Sequence, residues 1–226
     1  MIEYIAPGEI EARSFEIIGS EMDPERIQFY SPQELLVVKR AIHASADFDY
    51  QYNLIFQNHA MEAAFLALQE QAMIFTDTKM ALAGINKSLT DVLDIDPECL
   101  ISHTKTLEMA AKTGATRSRV SVDLAFEFFD TYNQERKEEG QKEVPLIFVV
   151  GNAPTALLRI QELLALGRKP AFVIAAPVGF VNVVEAKELI LKTEIPAIVA
   201  RGRKGGSNIA AALLNAILLQ CRIPKA

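Results

Sequence analysis

Two cysteines and three histidines are all the thiol and imidazole metal ligands that the 226-residue chain carries. Cys99 and Cys221 lie far apart, with no CxxC pair and no Cys/His cluster, which argues against a zinc site and fits a reducing, cytoplasmic setting. Positive charge is also scarce. The 23 Lys and Arg against 29 Asp and Glu leave a net charge of −6, so nucleic acid is not an expected partner and any basic site must be local. No apolar run reaches the ~18 residues that a membrane span requires. The longest, around 172–184 and 209–219, are interrupted by Pro, Gly or Asn, so no membrane partner is expected. The acidic start, broken by Pro7 and Gly8, lacks the form of a secretion signal. GxxxxGK[ST], GxGxxG and GxSxG spacings are missing, as is an evident acid pair for glycoside chemistry or an internal repeat.

What the chain does have is apolar residues, at half of its length, enough for a core without disulfide or metal staples. The expected organisation is a single domain over 1–226, with a helical N-terminal region (1–70) and a parallel α/β core (72–226). Ile10, Ile17 and Ile18 recur at helical spacing. Ser31-Pro32-Gln33-Glu34 combines an N-cap, a first-position proline and a capping-box glutamate. The helix it opens carries Leu36, Arg40, His43 and Asp47 along one line, and a further helix is expected from about His59 to Glu70. Beyond residue 72, short continuous apolar runs alternate with helical segments. Strands are expected at 72–75, 99–102, 146–150, 171–175 and 197–200, giving a three-layer α/β/α fold with a mostly parallel sheet.

In such a sheet, ligands lie beyond the carboxyl ends of the strands. The turns expected there are polar and glycine-rich: Thr76-Asp77-Thr78, Gly151-Asn152-Ala153-Pro154-Thr155, Pro177 to Asn182 around Gly179 and Phe180, and Arg201-Gly202-Arg203-Lys204-Gly205-Gly206-Ser207. Thr76, Asp77, Asn152, Thr155, Gly179, Phe180, Arg201 and Arg203 are the ligand-contact candidates they supply. The last turn suits carboxylate or phosphate groups, because its cations sit where helix N–H groups are unpaired. Arg117, ahead of a long helix, is placed like an anion clamp. His43, three residues from Arg40 and four from Asp47, is in a setting where an imidazole can exchange protons near neutrality. His59 and His103 default to helix caps, and Ser14 to a bond with its own preceding turn.

Taken together, RSFEII at 13–18, RAIHA at 40–44, TDTKMALAGI at 76–85, ATRS at 115–118, GNAPTAL at 151–157, PVGFVN at 177–182 and VARGRKGGSNIAAALLNAIL at 199–218 resemble the precorrin-8X methylmutase family of corrin biosynthesis, including its cobalt-precorrin-8 branch. The likeness spans essentially the whole chain. It implies an isomerase that moves a methyl group from C11 to C12 of a corrinoid tetrapyrrole, without an external cofactor or metal site. It also implies a three-layer α/β/α fold and a homodimer with sites near the subunit interface. Carried onto this chain, the proton donor/acceptor is His43, with Ser14 and Arg117 on the substrate. A substrate fringed by acetate and propionate groups matches a rim of N–H donors and a few cations. Two other readings use the same rim: a non-catalytic tetrapyrrole carrier, and an α/β enzyme acting on phosphorylated metabolites.

Overall fold

The computed structural model describes residues 4–222, so the ends of the expected 1–226 domain, residues 1–3 and 223–226, lie outside the described residues. The chain begins with helices α1 (Ile10–Glu21), α2 (Pro24–Phe29), α3 (Pro32–Ser45) and α4 (Tyr50–Asn53), followed by strand β1 (Leu54–Gln57) and α5 (Ala60–Gln69). Then come β2 (Met73–Thr76), α6 (Lys79–Gly84), α7 (Lys87–Val92), α8 (Thr104–Thr113) and α9 (Arg117–Glu138). The remainder alternates strictly: β3 (Leu146–Val150), α10 (Pro154–Ala165), β4 (Phe172–Ala175), α11 (Val183–Leu191), β5 (Ala197–Ala200) and α12 (Ser207–Arg222).

The capping box at α3 forms as the sequence predicts. The Ser31 hydroxyl accepts from Glu34 N at 3.3 Å and the Glu34 carboxylate accepts from Ser31 N at 2.9 Å. Ala46, in the left-handed region at φ 53°, ends the helix.

The strands form one sheet in the order β1-β5-β4-β3-β2, parallel from β5 to β2, with β1 antiparallel at the edge. Successive strand residues point to opposite faces and feed two separate cores. Ile74, Ile147, Val149, Phe172, Ile174 and Ile198 pack under α3, α5 and α12. Phe75, Leu146, Phe148, Val150, Val173 and Val199 pack under α9, α10 and α11. This is the expected three-layer arrangement, and the strands are buried on both faces as continuous apolar runs require. Among the described residues no helix is long and apolar enough to cross a membrane.

Two expectations fail. The N-terminal region is not wholly helical, because Leu54–Gln57 joins the sheet, Leu54 opposite Ala200 and Gln57 opposite Ala197. Four residues without clean alternation give no readable strand signal, and tertiary pairing decides. The expected strand at 99–102 is a single bridge between Phe75 and Glu98 followed by a 3₁₀ turn at Leu100–Ser102. Pairing is confined to Glu98 N donating to Ile74 O and Thr76 N to Glu98 O, both 2.8 Å, because the chain beyond Glu98 tightens into that turn, where its backbone groups point away from β2.

Helices α9 and α10 are latched by charge. Arg119 meets both Glu162 oxygens, at 2.7 and 2.6 Å, and Arg159 reaches Glu162 and Asp123, both at 2.7 Å. The hydrogen bonds from Arg119, opposed by partial burial and reinforced by Arg159, hold the Glu162 carboxyl at about 2 instead of 4.5. A depressed carboxyl stabilises the fold above its unfolded value, and that contribution is lost as pH falls through the folded one. The melting temperature should therefore drop between pH 4.5 and 2. Glu162→Gln should melt lower at pH 7 and show a shallower acid slope; an unchanged slope would remove the latch from the account.

Candidate active site

The carboxyl ends of β2, β3, β4 and β5 share one edge, and β1, running the other way, enters the sheet from that edge. Its first residues are tied there by Arg201 N donating to Asn53 O at 2.8 Å. The last turn of α3 and the 46–53 connection are thus brought beside the strand tips. Helix α12 packs along α3 in the opposite sense, its far end reaching Gln33, so His43 lies towards the start of α12.

At this end of the edge, α1 lies over α3. The His43 side chain is exposed, and its ring stands 5.5 Å from that of Phe15 at a 40° tilt. Among the described residues its nitrogens make no hydrogen bond. The charges expected to flank it are engaged elsewhere: Arg40 pairs with Glu11 and lies 4.9 Å over Phe15, and Asp47 pairs with Lys204 at 2.6 Å. Ser14, half-buried, donates to Ile10 O at 2.8 Å, the bond back to its own turn. Phe15, not Ser14, is the residue of RSFEII that touches His43.

The β5–α12 turn sorts its three cations. Arg201 is held by both Glu188 oxygens, at 2.7 and 3.1 Å, so it is not the open anion contact expected of it. Lys204 bridges Asp47 and Asp49, each at 2.6 Å, clipping the acidic 46–52 segment to the turn. Burial pushes the Asp47 carboxyl up, but hydrogen bonds from Lys204 and from Asp49 N outweigh it and hold the group below its ordinary value. Arg203 has no carboxylate partner among the described residues and lies 5.3 Å over the Phe180 ring, which is 81% exposed. Gly179 N donates to Arg203 O at 3.2 Å, so the Gly179, Phe180 and Arg203 candidates form one unit.

At the other end of the edge a cavity of about 440 Å³ opens between Thr78, Lys79, Ser102, Thr116, Arg117 and Asn152, with Asp77 at its wall. Arg117 and Lys79 are exposed and lack carboxylate partners among the described residues. Thr116 caps α9 and donates to the Thr155 hydroxyl at 2.8 Å. The two ends are joined where the Thr78 and Ser207 hydroxyls meet at 2.7 Å and where Gly151 lets α12 approach. A Cβ there would stand 2.6 Å from Ser207 Cα.

Thr76 and Asp77, expected at the ligand, give their polar atoms to the turns. Thr76 Oγ1 lies 3.1 and 3.3 Å from the carbonyls of Thr78 and Glu98. The buried Asp77 carboxylate accepts from the N–H groups of Gly151, Asn152 and Ala153 at 2.8, 2.8 and 2.7 Å. The 151–153 turn points three donors inward, and a buried acceptor has to meet them. Burial pushes this carboxyl above its ordinary value, against those donors. That turn therefore offers a ligand the exposed Asn152 side chain, not its backbone.

His103 does cap α8, its Nδ1 accepting from Lys105 N at 3.3 Å, while His59 sits at the start of α5 without a cap bond. Helices α10 and α11 start at Ala153 and Asn182 without side-chain caps. Sequence reasoning passes over Phe15, Lys79, the Asp47–Lys204–Asp49 clip and Lys187; the last had a readable signal, its place on the apolar stripe of Val183, Ala186 and Ile190. Among the described residues no group of three or more His, Cys, Asp and Glu is placed to hold a metal ion.

The sequence model for precorrin-8X methylmutase matches residues 9–220. A cobalt-precorrin-8 methylmutase of Salmonella typhimurium is 41% identical over 218 residues, covering 96% of each chain. A precorrin-8X methylmutase of Pseudomonas aeruginosa is 34% identical over 221 residues, 96% of this chain and 98% of that one. Among solved structures, the precorrin-8x methyl mutase of Thermus thermophilus superposes with a TM-score of 0.80 at 37% identity, covering 94% of this chain and 95% of that one.

Asp77→Asn would set an amide N–H₂ against inward-pointing backbone donors. We expect a loss of about 2 kcal/mol in urea unfolding; wild-type stability would mean that the turn does not depend on this carboxylate.

Proposed function

The chain belongs to the precorrin-8X methylmutase family, and from that premise we propose that it is the isomerase of cobalamin biosynthesis that moves a methyl group from C11 to C12 of precorrin-8X or cobalt-precorrin-8. The whole chain acts as a single domain in this reading. The relatives at 41% and 39% identity bear the cobalt name, which favours the cobalt form as substrate. None of the relatives described here is named as a carrier, so the carrier reading has no support.

The observation that carries the proposal is the gathering, on one sheet edge, of an imidazole with unbonded nitrogens, cations without carboxylate partners and an exposed apolar loop. A wide tetrapyrrole with carboxylates around its periphery needs all three. Arg117 and Lys79 at one end, and Arg203 on Phe180 near the other, would meet different side groups of one ring. Val178, Phe180 and Val181, each largely exposed, supply apolar surface for its face. Asn152 and Thr155 add polar contacts between them.

In this reading His43 delivers or relays a proton at ring C, changing the electron distribution of the conjugated system so that the methyl group migrates. The shift is intramolecular, so no nucleophile is required. The protein's remaining work is to hold one tautomer of the ring with the methyl group near its acceptor carbon, away from water. Phe15 against the imidazole limits its rotation, and Ser14 retains acceptor lone pairs for a substrate group. We further infer a homodimer: Ile10 and Ile17 of α1 and Leu36 of α3 are exposed apolar residues on the two helices that carry Phe15 and His43, and a second copy would cover them. The free thiol of Cys99 suits a reducing cytoplasm.

Purified protein should convert both forms of the substrate to corrin, read in the visible spectrum, and light scattering should give a dimer. His43→Ala should lower kcat by about 10²–10⁴ with product binding kept, whereas Arg117→Ala should raise KM about tenfold or more with kcat little changed. Near-normal turnover by His43→Ala would end the proton-transfer role.

A further inference from the structure

Lys187 is fully buried, 0% exposed, on the inner face of α11 beside Val183, Ala186 and Ile190. A lysine is almost never buried completely unless it is paired with an acid. This one is not. Glu188 on the same helix is turned to Arg201, Asp47 and Asp49 to Lys204, and Glu162 on the adjacent α10 to Arg119 and Arg159. What the Lys187 amine meets is backbone: it donates to Gly202 O and to Lys204 O, both at 2.8 Å.

Those two bonds fix the direction of the peptide groups in the β5–α12 turn. In a trans peptide the N–H points opposite to the carbonyl it shares a plane with, and the described residues have no cis bonds. With Gly202 O and Lys204 O turned in to Lys187, the N–H groups of Arg203 and Gly205 point away from it. The carbonyl between them, Arg203 O, is taken by Gly179 N at 3.2 Å. Among the described residues the four successive N–H groups of Gly202, Arg203, Lys204 and Gly205 have no hydrogen-bond acceptor. The turn's carbonyls are occupied and its N–H groups are not, a polarity that suits an anion.

Resting on the reading above, we propose that Lys187 is a positioning residue that holds the carbonyls of the 202–204 turn inward, so that its N–H groups and Arg203 together receive a peripheral carboxylate of the substrate. The clamp does not need a charged amine. Burial pushes Lys187 down to about 7, and a neutral amine still has two hydrogens for its two carbonyls. Arg203 therefore contributes its charge to the rim while the residue beneath the turn need not.

Lys187→Met fills the same space without a donor. In a variant shown by circular dichroism and melting to be folded, KM for the preferred precorrin-8 form should rise about tenfold with kcat changed less than about threefold. Trypsin should also cut after Arg201, Arg203 or Lys204 about tenfold faster, as expected for a turn released from its anchor. Wild-type KM in the folded variant, or a loss confined to kcat, would overturn the proposal, as would unchanged cleavage. Should the Met variant not fold, Lys187→Gln, whose amide nitrogen stops one bond short of the amine and cannot reach both carbonyls, is measured the same way: raised KM and faster cleavage support the clamp, and wild-type values for both overturn it. Digestion needs no corrinoid, so a wild-type protein inert towards precorrin-8X would defeat the functional reading while the trypsin result still decides the clamp.

Discussion

The antiparallel pairing of β1 with β5 is the constraint on which the rest of the site depends. Four parallel strands put their tips on one edge, and helices returning from a parallel strand end on the opposite edge. A residue near the end of an N-terminal helix would reach the tips only if the next strand enters from that side. Leu54–Gln57 does so, and its antiparallel register, from Leu54 opposite Ala200 to Gln57 opposite Ala197, anchors it. The end of α3 is thereby set beside the β5–α12 turn. The Lys204 bridge to Asp47 and Asp49 then closes the gap between two segments 155 residues apart.

Charge along the rim follows from which cations find acids. The chain is net negative, and among the described residues half of these rim cations are neutralised within the fold: Arg201 by Glu188, Arg40 by Glu11, Lys204 by two aspartates. Arg117, Lys79 and Arg203 are left, and all three lie on exposed turns at strand tips or at a helix start. A local positive rim on an acidic protein concentrates the field where a polyanionic ligand would approach, without the general attraction to nucleic acid that a basic surface would bring.

Much of this was legible. The apolar runs at 146–150, 171–175 and 197–200 read as doubly buried strands because β-strands covered on both faces need no alternation, and the structure places them in the middle of the sheet. The capping box at Ser31 marked the start of α3 to the residue. The site was less legible where long-range partners decide. Nothing local in Arg201 reveals that Glu188 will take it, and nothing in TDT reveals that Asp77 will be consumed by a turn 74 residues later. β1 was hidden because Leu-Ile-Phe-Gln is as compatible with a helix as with a strand, and its pairing with Ala197–Ala200 makes the choice. Lys187 is the instructive intermediate. Its spacing from Val183, Ala186 and Ile190 marked it as buried, yet which atoms would receive its amine depended on a turn fifteen residues on.

Asp77 and Lys187 solve the same problem with opposite polarity. A tight turn at a strand tip cannot point all of its peptide groups outward, so some must be satisfied from beneath. Asp77 is an acceptor, which draws in the N–H groups of 151–153 and leaves that turn to present side chains. Lys187 is a donor, which draws in the carbonyls of 202 and 204 and leaves that turn to present N–H groups. Because a buried polar group without a partner costs about 1–3 kcal/mol, each turn is locked into the polarity of the residue beneath it. The choice of acid or base at two buried positions therefore sets what the rim offers: amide and hydroxyl side chains over β3, and N–H donors with an arginine over β5.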